Sequence, residues 1–235
     1  MKNIVIIGAS GHGSVVLDCI EKEGLFKVIG YIDSYKKKGK KHNGLDILGS
    51  EYEIPYLIEK HNVYGGIIAI GNNWIRQELV AKIAKLAPNF QYITVVHPSA
   101  TIGKGAHIGR GSVIMPGVIV NCNSWVGDFC IINTNASLGH DSRMNNFSSL
   151  APRVCTGGNF VLGKFSAICL GANIIENITV GEQTVIGAGS LVVTDIQPYV
   201  VAYGVPVKVI RQRSAGEPYL TGDKKSYLAK VVNDK

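Results

Sequence analysis

The chain has 235 residues, 46% of them hydrophobic and 17% charged, which excludes a disordered tail protein and leaves room for two units with cores of their own. Residues 4–7 form an apolar run the length of one strand, too short for a signal peptide or a membrane span, so a cytoplasmic address is expected. Much of the formal charge of +7 sits in Lys36-Lys37-Lys38-Gly39-Lys40-Lys41 and around Lys224-Lys225. No aromatic residues interleave with these lysines, so the first cluster reads as a solvated loop, with attraction of phosphate-bearing small molecules as the functional alternative and neither nucleic acid nor membrane expected as partner.

In chain order, residues 3–8 read as a buried parallel strand. It runs into Gly8-Ala9-Ser10-Gly11-His12-Gly13 and then a helix over 14–22. Glycines between a strand and a helix let the backbone approach a diphosphate, and the free N–H groups of the first helical turn attract its charge. The next strand, 27–32, ends on Asp33, where a carboxylate can meet a ribose or a base edge. A third strand, 66–70, leads into Gly71-Asn72-Asn73 and a helix over 74–86. Strand and helix alternate, which predicts a small open parallel sheet. Three strands are half a dinucleotide site, suited to a nucleotide sugar. The pattern changes near His97-Pro98.

From 102 to 192 an aliphatic residue recurs every six positions without one insertion: Ile102, Ile108, Ile114, Val120, Val126, Ile132, Leu138, Met144, Leu150, Leu162, Ile168, Ile174, Val180, Ile186 and Val192, with Thr156 the one polar member. A small residue usually stands two positions earlier, and Gly or Asn often stands directly after. This is neither the helical period nor the strand period. It resembles the hexapeptide repeat of left-handed parallel β-helices, in which three hexads close one triangular coil. In that fold the aliphatic residue points inward, and the Gly or Asn after it is expected to take the positive φ of the corner. About five coils at ~4.8 Å per layer would stand roughly 25 Å tall. The open end of such a ladder needs a cover.

The fold expected is therefore α/β plus all-β: a Rossmann-like parallel α/β domain at 1–96, a left-handed parallel β-helix at 97–210 and a C-terminal tail at 211–235. The five cysteines, Cys19, Cys122, Cys130, Cys155 and Cys169, are odd in number and lack CxxC spacing, so reduced thiols are expected, with no disulfide framework and no metal site.

Within the repeat, His140 lies two positions past the inward Leu138, at a corner facing out. Its imidazole is suited to take a proton near neutral pH, and Asp141 beside it can favour the basic ring. Neither Cys130 nor Cys155 has a neighbouring His to activate it as a nucleophile. A zinc hydrolyase on the same fold would need three clustered histidines, and no His-x4-His occurs.

Residues 8–13, Ala69-Ile70-Gly71-Asn72-Asn73, Asn133-Thr134, His140-Asp141 and Gly204-Val205-Pro206-Val207-Lys208 occur in the order seen in bacterial sugar acyltransferases of the sialic acid O-acetyltransferase family. The chain most resembles the members that act on nucleotide-linked 4-amino-4,6-dideoxy sugars, of the bacillosamine-pathway and GDP-perosamine type. The resemblance implies a homotrimer with sites between adjacent β-helices, acetyl-CoA as co-substrate, and N-acetylation of the sugar's 4-amino group. It places the general base on His140, its acidic partner on Asp141 and an assisting amide on Asn133. Sugar-nucleotide contacts fall on Ser10, Gly11, His12, Asp33, Ser34 and Gly71. Contacts to acetyl-CoA fall on Gly158, Leu170, Ala188 and Lys208, with Ser149 where many members carry a second His. O-acetylation of a sialic-acid-type sugar stays open, as does a non-catalytic nucleotide-sensing trimer. The nucleotide base, the sugar and the acyl length also stay open.

Overall fold

The computed structural model describes residues 1–220, so residues 221–235 of the expected tail, with Lys224 and Lys225, lie outside the described residues. The first unit runs β1 (Lys2–Ile7), α1 (Gly11–Glu23), β2 (Phe26–Ile32), β3 (Lys41–His42), β4 (Leu45–Gly49), α2 (Ile54–His61), β5 (Val63–Ile68), α3 (Asn73–Leu86) and β6 (Gln91–Tyr92). Its sheet has the order β3-β4-β2-β1-β5-β6 and is parallel except for the β3–β4 hairpin. Six strands thus replace the three expected. The additions are short, and two-residue strands show no period to read. One cue existed: Asn43 and Gly44 both take positive φ, the turn chemistry of a tight hairpin, so the lysine-rich loop runs into paired backbone at Lys41. Helix α1 begins earlier than expected because Ser10 caps it, its side chain accepting from the Gly13 N–H.

The second unit is a left-handed parallel β-helix whose rungs are two residues long. The first face stacks Val95–Val96, Val113–Ile114, Ile131–Ile132, Ser149–Leu150, Ala167–Ile168 and Val185–Ile186. The second stacks Thr101–Ile102, Ile119–Val120, Ser137–Leu138, Cys155–Thr156, Asn173–Ile174 and Leu191–Val192. The third stacks His107–Ile108, Trp125–Val126, Arg143–Met144, Val161–Leu162 and Thr179–Val180. The second residue of each rung is the hexad residue, and from Ile114 onward these side chains are buried in one column. Each aliphatic one contributes about 1.5–3 kcal/mol by leaving water. Only the first coil, at Ile102, is left open.

Positive φ falls elsewhere than expected. It sits three positions after the inward residue, at Asn123, Phe129, Asn135, Asp141, Phe147, Arg153, Asn159, Phe165, Asn177 and Gln183. The glycine directly after the inward residue has a different cause. A Cβ on Gly103, Gly157 or Gly163 would run into the backbone of the next coil. Those glycines serve close stacking, not corner conformation.

The far end is closed on the first face by Val200–Gly204, which adds a parallel rung to Val185–Ile186 and folds back antiparallel as Val207–Gln212. The Gly204-Val205-Pro206-Val207-Lys208 motif makes that reversal. At the near end one hydrophobic cluster runs from Ile4, Val16 and Ile20 of the first unit into Val95, Val113 and Ile114 of the prism. Where the third face turns into the first, Phe129, Phe147 and Phe165 stack at 5.0 and 5.5 Å, with Tyr92 on one end and Trp74 of α3 on the other. Arg76, fully buried, donates from Nε to the Phe129 carbonyl (2.8 Å) and from its terminal nitrogens to the Ile70 carbonyl (2.8 Å) and Asn73 Oδ1 (2.7 Å). Asn73 in turn donates to Ser149 Oγ (3.2 Å) and the Ser166 carbonyl (3.0 Å). No helix among the described residues is long and apolar enough to cross a membrane.

Candidate functional site

Two cavities and one exposed corner hold most of the residues singled out by sequence. The larger cavity, about 480 Å³, opens at the C-terminal ends of β1, β2 and β5 and is lined by Gly8, Asp33, Ser34, Tyr35, Glu51, Tyr52 and Lys82 among others. This is where open parallel sheets take ligands, since helix N-termini and free strand-end groups converge there. The Gly8–Gly13 turn is tight: a Cβ on Gly13 would overlap the Gly8 carbonyl. Asp33 holds the rim, with Oδ2 accepting the Ala9 N–H (2.9 Å) and Oδ1 the N–H groups of Tyr35 (2.9 Å) and Lys36 (3.1 Å).

Sequence reasoning missed Glu51 and Lys82. Glu51 is buried and accepts from both Ser34 Oγ and Lys82 Nζ, while Lys82 lies 4.2 Å from the centre of the Tyr52 ring. Burial works to raise the Glu51 carboxyl, but the hydrogen bonds from Lys82 and Ser34 outweigh it and hold the group below its usual value. Nothing local in the sequence links two residues on different elements, so no signal pointed to this pair.

The second cavity, about 250 Å³, lies at the seam and draws on both units: His12 and Gly71 from the first, Asn133, Ser149, Ala151 and Leu170 from the prism, and Tyr219 and Leu220 from the end of the described chain. Five residues chosen from sequence, His12, Gly71, Asn133, Ser149 and Leu170, meet here. Burial, and secondarily the charge of Arg76, push the His12 imidazole down to about 4, so it is neutral at pH 7. Its buried Nε2 has no hydrogen-bond partner among the described residues. Such an orphaned nitrogen beside a cavity is suited to receive a ligand's polar group. Tyr219 closes one wall, donating to the Gly71 carbonyl (3.2 Å). Ser10 and Gly11 lie nearby at the start of α1, exposed.

His140 is elsewhere. It occupies the corner between the second and third faces, its side chain 58% exposed, with Nδ1 2.7 Å from Asp141 Oδ2. An ionised carboxylate only accepts, so Nδ1 carries a proton, and in the neutral ring the lone pair is on Nε2. Asp141 is held below the usual carboxylate range by that hydrogen bond first and by Asn123 Nδ2 (3.2 Å) second. On the next coil the His140 ring lies so close to Gly158 that any Cβ there would overlap it. Leu170 and Ala188, one coil apart, lie on the corner between the first and second faces, followed by Gly171 and Gly189 at positive φ. Lys208 stands opposite Tyr203 in the terminal hairpin. Within one chain, then, Asn133, Ser149 and Leu170 are separated from His140 and Gly158 by the width of the second face.

Residues 3–83 match the PglD N-terminal domain family. A GDP-perosamine N-acetyltransferase of Escherichia coli O157:H7 is 28% identical over 191 residues, covering 78% of this chain and 82% of that one. A perosamine N-acetyltransferase from Caulobacter crescentus, solved with CoA and GDP-perosamine and with one histidine replaced by asparagine, superposes with a TM-score of 0.85 at 32% identity, covering 90% of this chain and 98% of that one. The acetyltransferase domain of PglB from Neisseria gonorrhoeae FA1090, solved with acetyl coenzyme A, gives 0.81 at 30% identity, covering 89% and 99%. Agreement in both sequence and fold over about nine-tenths of the chain shows that it belongs to the bacterial sugar N-acetyltransferases that join a PglD-type N-terminal domain to a hexapeptide-repeat β-helix.

Proposed function

We propose that this enzyme moves an acetyl group from acetyl-CoA to the 4-amino group of a nucleotide-linked 4-amino-4,6-dideoxy sugar, with His140 as general base. The observation that carries this reading is the His140–Asp141 pair at 2.7 Å on an exposed corner, its free Nε2 beside a glycine. Residues 1–96 hold the nucleotide sugar, with the nucleotide in the cavity of Asp33, Ser34 and Glu51. Residues 97–210 bind acetyl-CoA and carry out the transfer. Glycine at 158 leaves room for the imidazole to lie against the next coil.

The amine nitrogen attacks the thioester carbonyl carbon. A C–N bond forms, the C–S bond breaks, Nε2 of His140 takes the nitrogen's proton, and CoA leaves as a thiolate that picks up a proton from solvent. General-base help of this kind supplies about 10²- to 10⁴-fold, and orientation of the two substrates supplies the rest. Ser149 offers a hydroxyl where many relatives carry a second His.

The reading needs more than one copy. Asn133, Leu170 and Ala188 lie along one edge of the second face, with Ser149 beyond it on the first face, and His140 and Gly158 lie along the other edge. A closed ring of prisms, a homotrimer, sets one copy's first edge against its neighbour's second and completes the site.

The test is thiol release from acetyl-CoA with a panel of UDP-, GDP- and dTDP-linked 4-amino sugars and their 4-hydroxy counterparts, products weighed by mass spectrometry. An amide product on an amino sugar nucleotide is expected. Release with the hydroxy sugars alone would replace N-transfer with O-transfer, and a monomer by light scattering would refute the shared site.

A further inference from the structure

We propose that Thr156 is a positioning residue for acetyl transfer: its side chain, in place of the main chain, sets the offset between the coil that carries His140 and the coil that carries Gly158. The proposal rests on His140 being the general base.

Thr156 is the one polar residue in the inward column, and it is only 5% exposed. Its neighbours along the second face follow a rule. The N–H directly after each inward residue donates to the main-chain carbonyl of the inward residue one coil on: Gly103 to Val120 (2.7 Å), Asn121 to Leu138 (3.0 Å), Gly157 to Ile174 (2.9 Å) and Ile175 to Val192 (3.1 Å). At Gly139 the rule is broken. Its N–H donates to Thr156 Oγ1 (2.9 Å).

The strand pairing records the same break. Ser137 pairs with Cys155 but Leu138 has no pair in Thr156, whereas the coils on either side pair through both residues. The ladder is therefore interrupted at one rung of this face, and that rung leads directly into His140 on one coil and, through Gly157, into Gly158 on the other.

Apart from the Thr156 hydroxyl, no side chain lies between these peptides to absorb a shift. Gly139 sits so close to the Gly157 carbonyl that a Cβ would overlap it, and Gly158 lies equally close to the His140 ring. A displacement of the Gly139 peptide is thus passed to the imidazole and to the room beside it. A hydroxyl in an aliphatic column also works against stability, since its burial is only offset by the hydrogen bond it makes. A local rule broken at the expense of stability, next to the reacting group, is the signature of a functional constraint.

The experiment compares full-length Thr156→Val and Thr156→Ser with the wild type, and with His140→Ala as control. Thermal midpoint, kcat, both KM values and the pH profile are measured with acetyl-CoA and the best acceptor of the panel above. Thr156→Val keeps the volume and lets the Gly139 N–H return to the carbonyl. Its thermal midpoint is expected to hold or rise while kcat falls about tenfold with both KM values within about threefold, the pattern of a lost transition-state interaction. Thr156→Ser is expected to recover most of the rate. Wild-type kcat in Thr156→Val, beside an inactive His140→Ala, overturns this proposal alone. A rate loss that only follows a fall in stability and is not recovered by serine overturns it as well. An active His140→Ala removes the base assignment and this proposal together.

Discussion

Where the third face turns into the first, Phe129, Phe147 and Phe165 hold the turn position with positive φ, while Asn123, Asp141, Asn159 and Asn177 hold the same position where the second face turns into the third. The backbone is the same at both corners. For a bulky residue the left-handed conformation costs about 1–2 kcal/mol, and for Asn or Asp less. The aromatic corner offsets that cost by stacking and by burial under α3 and β6. The polar corner has no cover and uses residues that tolerate the turn, tied by side-chain bonds such as Asn123 to Asp141 (3.2 Å) and Asn159 to Asn177 (3.0 Å). One corner is spent on attaching the first unit, and the other is left open to reactants.

The sharpest break in this contrast is at the open corner. His140→Ala is expected to lower kcat by about two orders of magnitude or more with oligomeric state and thermal midpoint unchanged, as removal of a general base requires. Stopped-assay turnover with light scattering checks both halves. The closed corner should answer in the opposite way. Phe129→Ala should cost about 3–5 kcal/mol of stability, seen as a lower thermal midpoint, with kcat per folded enzyme within about twofold. Loss of turnover without loss of stability would erase the distinction between the corners.

His12, at the covered seam, extends the contrast to pH. Its folded-state value of about 4 lies below the 6.5 of an unperturbed imidazole. Between those limits the unfolded chain binds a proton that the folded chain refuses, so stability falls as pH drops from about 6.5 to 4 and levels off below, by roughly 3 kcal/mol at most. His12→Gln should therefore lose less thermal midpoint than the wild type between pH 7 and about 4.5. Equal losses would show that this ring is not shielded. The smallest effect belongs to Asp141→Asn: about tenfold in kcat, with the acidic limb of the pH profile moved downward in pH, because a neutral amide no longer stabilises the protonated ring. An unmoved limb would count against the pairing.

Much of this was legible because a strict count of six survives sixteen positions, and each inward residue reports its own environment. The open position of His140 followed from its offset from Leu138. The positive φ was assigned to the wrong glycines because sequence shows that a Cβ is absent, not whether conformation or close approach removed it. Phe129, Phe147 and Phe165 recur at 18, three hexads, so the covered corner could have been found by the same counting. Arg76, Glu51 and Lys82 had no such period. The role of Arg76 depends on which elements meet across the seam, and that of Glu51 and Lys82 on which meet within the first unit, information that no single segment carries. The spread of the chosen residues over two cavities and a separate corner was hidden for the same reason, since residue spacing does not reveal which edge of a face a neighbouring copy will meet.

The unbroken hexad count also constrains how such an enzyme can change. Inserting or deleting one residue within a two-residue rung would turn its inward side chain outward, unless the change were taken up at a corner. Because this prism carries no looped-out corner, its present chemistry rests on side chains at fixed turn positions and on the appended sheet. Acceptor choice can therefore drift in the first unit while the reacting corner stays metrically locked.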